Sequence, residues 1–176
     1  MPVADAVLNR TVALVAPRSN DPSATCDAVR GLLAGVAGTL VLTGFERLEW
    51  ALLGGRPAAY APARIGRRLA ARWMTGNLRS GTGGELGYAL RWVYGPGLGL
   101  LFAMLRPLLP RNTVAAGVCL GALIFLFELV AMPAVDATPP PRAWAKRETA
   151  MLWLHTGVFG VATAIALKGL ARVLRC

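Results

Sequence analysis

The sequence predicts an all-α integral membrane protein: four transmembrane helices and one short arginine-rich helix lying in the membrane interface. Composition is the first observation behind this. Hydrophobic residues are 55% of the chain, charged residues 16%, and the mean hydropathy is +0.51, against about 25% charged residues in a soluble domain. Clustering is the second. The apolar residues collect in four windows, Gly31–Leu53, Gly83–Leu105, Val114–Met132 and Ala150–Leu170, each near the ~20 residues that cross a ~30 Å hydrocarbon core. The third is that most basic residues flank these windows. The net charge of +10 then reads as contact with anionic lipid head groups, and nucleic acid is not an expected partner.

Along the chain, residues 1–27 read as a flexible N-terminal segment with a possible surface helix at Ala4–Ala16, residues 28–171 as the transmembrane domain, and 172–176 as a basic tail. The first span carries Gly31, Gly35 and Gly38. Small residues four apart let helix backbones approach closely in lipid. In the first connection, Ile65, Leu69 and Trp73 form one apolar stripe at helical spacing, with Arg64, Arg67, Arg68 and Arg72 around it. That pattern belongs to a helix at the interface with its arginines on lipid head groups; a helix packed on the bundle is the plainer alternative. Pro62 suits its first turn.

The second span is the weakest, because it contains Glu85, Arg91 and Pro96. Proline removes one intrahelical hydrogen bond, so a kink is expected at Pro96. The third span opens with Gly117 and Gly121, again four apart, and a proline-rich connection leads to the fourth. The orientation is a near tie. One side collects eight basic residues and the other nine, so the positive-inside rule decides little; an even number of spans commonly keeps both termini in the cytoplasm.

Charged groups inside spans are costly and mark candidate sites. At 1.5 Å per residue, Glu46, Arg91, Glu128 and His155 fall at a similar depth, toward the end that carries the first and third connections. Each span thus gives one polar group to a common layer, in which Arg91 is expected to pair with Glu46 or Glu128. Glu49 and Arg47 read as snorkelling residues at its edge. The layer is either glue, with interhelical bonds worth about 0.6–2 kcal/mol each, or the lining of a vestibule where Glu128 and His155 bind a cation or pass a proton.

Cys26, Cys119 and Cys176 lie far apart and form no CxxC pair, so neither a disulfide framework nor a metal site is expected. No HExxH, GxSxG or Walker A pattern is present, which leaves no catalytic residues to name and no cofactor to expect. The expected role is structural or accessory, with the small-residue faces available to a homo-oligomer or a partner membrane protein. The alternative is a small transporter or cation-conducting protein.

The run Gly31–Thr39 followed by Glu46, the Tyr94-Gly95-x-Gly97 segment, the run Gly117–Pro133 and His155-Thr-Gly-Val-Phe-Gly160 resemble the small bacterial inner-membrane proteins of the YagU type. That resemblance implies a multi-span helical fold in a bacterial cytoplasmic membrane, and no catalytic residues.

Overall fold

The computed structural model describes residues 22–53, 62–73 and 82–174, and among them every regular element is helical. The helices are α1 (Pro22–Leu53), α2 (Pro62–Trp73), α3 (Thr82–Leu105), α4 (Thr113–Ala134) and α5 (Lys146–Val173), with single 3₁₀ turns at Arg106–Leu108 and Pro141–Ala143. The proposed surface helix at 4–16 lies outside the described residues.

Three of these helices are long and apolar enough to cross a membrane: Ser23–Leu52, Thr113–Ala134 and Lys146–Val173. The second of the four apolar windows, carried by α3, is not among them. With 24 residues, α3 has the length, at about 36 Å, but Glu85, Arg91, Pro96 and its glycines dilute its apolarity. It runs unbroken through Pro96.

The ends of the helices follow local chemistry. Proline is tolerated in a helix's first turn, where its missing N–H has no intrahelical partner anyway, and α1 and α2 both begin on one. α1 therefore starts at Pro22, ahead of the boundary expected at residue 28. The Asn112 carboxamide oxygen accepts from Val114 N–H at 2.9 Å and Ala115 N–H at 3.1 Å, which satisfies two donors at the start of α4. Arg106 closes the preceding turn by donating to the carbonyls of Pro110 and Arg111, both at 2.9 Å. At α5 the Glu148 carboxylate reaches back to the Ala145 N–H at 3.1 Å. α5 also extends through Arg172, so the expected basic tail begins inside a helix.

Side chains offer little drive for association in lipid, where close backbone packing takes over. Glycines make that packing possible. A Cβ built on Gly31 would lie 2.8 Å from the Ala103 Cβ, and one on Gly35 would lie 2.7 Å from the Pro96 Cα. Gly35 and Gly99 face each other across the α1–α3 contact. On the other pair, a Cβ on Gly117 would lie 2.6 Å from the Val161 Cα, and one on Gly121 would lie 2.9 Å from the Gly157 Cα. Gly38 faces Thr163 and Phe159, which joins α1 to α5. Each set of glycines predicted on one helix thus meets glycines on another: Gly95 and Gly99 on α3, Gly157 and Gly160 on α5.

The contacts form an open arc. α3 packs on α1, α1 on α5, and α5 on α4, while α2 packs on α3. α3 and α4 are consecutive long helices, yet they barely touch. They converge only near their shared turn, where Phe102 joins Ala116, Leu120, Ile124 and Phe159 in the main apolar cluster. At that same end the Arg30 guanidinium donates from Nε to the Leu174 carbonyl at 3.1 Å and from Nη1 to Asp27 at 2.7 Å, fixing the start of α1 to the end of α5. Cys26, beside it and buried, is disulfide-bonded, while Cys119 is free. The cysteine spacing indicated no disulfide framework, and it could not report this bond, because spacing in sequence says nothing of proximity in space.

These crossings give a direct expectation. Gly35→Leu should lower stability by about 1–3 kcal/mol or more through overpacking against α3. Gly97→Ala meets nothing within 4 Å and should leave stability unchanged or raise it by up to about 1 kcal/mol. Thermal unfolding of the two purified variants beside the parent protein reads both.

Candidate functional site

The fourth side of the arc, between α3 and α4, is a cavity of about 440 Å³. It lies in the half of the bundle away from the α3–α4 turn. Thr39, Leu42 and Glu46 of α1 line it, with the α3 face from Gly87 to Leu98, Ile124, Glu128 and Met132 of α4, and the α5 face from Leu152 to Phe159. Ile65 and Leu69 of α2 close one wall. The α2 stripe seen in the sequence therefore faces the bundle. Arg64, Arg67 and Arg68 are exposed on the other side of that helix; the Arg72 side chain lies outside the described residues.

The cavity has a lateral mouth. Val93 lines it and is nevertheless 73% exposed, with Leu90 beside it on α3. Val135, just beyond α4, forms the opposite lip and is 43% exposed. Around this opening the exposed large side chains of the two helices, Trp92 and Val93 on α3 and Phe127 and Val130 on α4, are apolar.

All four residues of the expected polar layer line this cavity. Arg91 and Glu46 form a two-pronged ion pair: Nη1 donates to Oε2 at 2.5 Å and Nη2 donates to Oε1 at 3.0 Å. Their side chains are 11% and 26% exposed, so water screens this pair little, and the planar fork of the guanidinium matches the carboxylate. Glu128 is close enough to Arg91, to Glu46 and to the Tyr94 hydroxyl to interact electrostatically with each. His155 stands apart from this group in its pairing. Its Nε2 lies 2.8 Å from Glu49 Oε2, and the Phe45 ring meets the imidazole edge-on at 5.6 Å.

No family model, curated protein or solved structure matches this chain. Its site is therefore read on its own geometry.

Two features of the site escaped the sequence reading. Glu49 is no snorkelling residue: it turns inward to His155. It sits three positions after Glu46, so the two carboxylates share one side of α1, with Glu46 turned to α3 and Glu49 to α5. The i, i+3 spacing is visible in the sequence, but near the end of an apolar window a charged side chain ordinarily snorkels outward, so spacing alone does not point Glu49 inward. The second is the Tyr94 hydroxyl, which lines the cavity wall, is buried and has no hydrogen-bond partner. A buried polar atom without a partner is uncommon and calls for an occupant or a function. Among the described residues no cluster of histidine, cysteine and carboxylate side chains is arranged to hold a metal ion.

The pair and its neighbour make a testable couple. Arg91→Leu alone leaves Glu46 and Glu128 together without a counter-charge and should cost about 1–3 kcal/mol or more. Arg91→Leu combined with Glu46→Leu should recover most of that loss, since a buried pair replaced as a unit by apolar groups is often neutral. Urea or thermal unfolding of the single and double variants measures the difference.

Proposed function

We propose that this chain crosses the membrane four times and holds a small membrane-partitioned molecule in the laterally open cavity between α3 and α4. Chain direction supports the four crossings. The start of α1 meets the end of α5, so α1 and α5 run antiparallel; α4 and α5 are joined by a short connection and also run antiparallel. α1 and α4 therefore run the same way, and the chain has to return between them. Among the described residues only α3 is long enough to do so, and the pairing of Gly31 with Gly99 and Ala103, and of Gly35 with Gly95 and Pro96, aligns it against α1 in the returning direction. The Arg91–Glu46 pair removes the main obstacle to burying α3 in lipid.

The observation that carries the binding reading is the buried, unbonded Tyr94 hydroxyl on the wall of a mostly apolar cavity. Ligand sites combine about 300–1,000 Å³ of concave, largely apolar space with a few convergent polar groups. A layer serving only as glue is expected to be closed and fully bonded. The exposed arginines of α2, on the face away from the cavity, would fit anionic lipid head groups, which supports α2 lying at the membrane surface as a cover over the polar end of the site. The resemblance to YagU-type proteins supports a bacterial cytoplasmic membrane as its location.

Native mass spectrometry of the protein released from nanodiscs made with a total lipid extract tests the binding role. The parent protein should retain an amphiphile-sized adduct that Leu98→Trp, which fills the cavity, loses. Absence of any adduct on the parent, together with equal thermal stability of the two proteins, would assign the layer to packing alone.

A further inference from the structure

We infer that the cavity's ligand is a lipophilic amine, an apolar body carrying one protonated nitrogen that binds at Glu128 and Tyr94. This rests on the binding reading above and names its substrate class. The titratable groups that line the cavity are Glu46, Arg91, Tyr94, Glu128 and His155. Arg91 is spent on Glu46 through both of its terminal nitrogens, and His155 is directed to Glu49. With Glu128 ionised, Glu46, Glu128 and Arg91 together sum to one negative charge, which a cationic ligand would offset. An ionised carboxylate in a mostly apolar chamber is costly unless it is paired. A ligand ammonium supplies the missing charge and N–H donors for both the carboxylate and the Tyr94 hydroxyl oxygen. The rest of the lining, including Leu42, Ile65, Leu69, Leu98 and Ile124, accepts only an apolar body. The mouth beside Val93 admits a molecule that is already dissolved in the bilayer. An anionic amphiphile would bring a second negative charge to Glu128.

Decylamine, decanol and decanoate share one chain and differ in head group, which makes them the probes. Saturable tryptophan-fluorescence change in nanodiscs gives an affinity for each. Decylamine should bind at least tenfold more tightly than decanol, and decanoate most weakly. Glu128→Gln, nearly the same shape, should bring decylamine to the affinity of decanol, and Tyr94→Phe should weaken it severalfold. Equal binding of decylamine and decanol by the parent protein, or unchanged decylamine binding by Glu128→Gln, overturns the charge assignment while leaving the cavity as a site. If none of the three saturates, the binding reading itself fails.

A separate observation bears on orientation. Cys26 is disulfide-bonded at the end of the bundle where α1 begins and α5 ends. Disulfides persist in oxidising compartments and are rare in the cytosol. We infer that this end faces the oxidising side and that the mouth of the cavity, with Arg64, Arg67, Arg68, Arg142, Lys146 and Arg147 around that end of the bundle, lies toward the cytoplasm. This chooses between two orientations that the basic residues leave nearly tied, and it reverses the expectation of both termini in the cytoplasm. Pro110 and Arg68 are exposed and are separated by α3. In intact cells, with Cys119 replaced by alanine, a membrane-impermeant maleimide should label Pro110→Cys and spare Arg68→Cys. The reverse pattern overturns the orientation, and labelling of both overturns it together with the four-crossing reading.

Discussion

Backbone contact at glycine is the constraint on which the arrangement depends. Lipid offers the apolar faces of these helices as good a solvent as they offer one another, so association requires the closer approach that only glycine permits. The glycines are distributed unequally. α1 presents Gly31 and Gly35 to α3 and Gly38 to α5, and α4 presents Gly117 and Gly121 to α5. On α3 the glycines at 95 and 99 are occupied by α1, and Gly97 meets nothing. No such seam joins α3 to α4. The arc stays open on that side, and the cavity is the space that results.

The polar layer follows from the same geometry. Were α3 and α4 packed together, Glu128 would be drawn into a closed network with Arg91 and Glu46. Because the two helices diverge, Arg91 closes on Glu46 across the tight α1–α3 seam, and Glu128 is left on the far wall of the gap. His155 finds Glu49 across the α1–α5 seam. Each of these two pairs thus spans a glycine-backed contact, while the residues facing the open side, Tyr94 and Glu128, line the cavity. Structural and functional readings of the layer need not compete: its paired members hold neighbouring helices together, and Tyr94 and Glu128 are the groups available to an occupant under the binding proposal.

Much of this was legible in the residues. The long apolar windows at 83–105 and 114–132 lie within a residue or two of α3 and α4, since the transition from loop to apolar run is sharp there. The common depth of Glu46, Arg91, Glu128 and His155 followed from helical rise alone, and those four side chains do line one cavity. Which partner each would take did not follow, because depth is set along a helix whereas pairing depends on rotation about it and on neighbour order. The open α3–α4 side was hidden for the same reason: adjacent spans joined by a short turn are ordinarily packed. The α2 stripe of Ile65 and Leu69 was visible, but periodicity reports an apolar face without saying whether lipid or protein covers it. The disulfide at Cys26 was not legible, because spacing along the chain does not report proximity in space.

The central claim is that α3 and α4 diverge to leave an open, laterally accessible space. Electron–electron distance measurement between spin labels in nanodiscs tests it most directly. One pair, at Met104 and Val114, reports the end where the helices converge, and the other, at Leu90 and Phe127, reports the cavity. The account predicts a clearly longer mean distance for the second pair. Equal, short distances at both pairs would mean that the two helices pack along their whole length, and would contradict it.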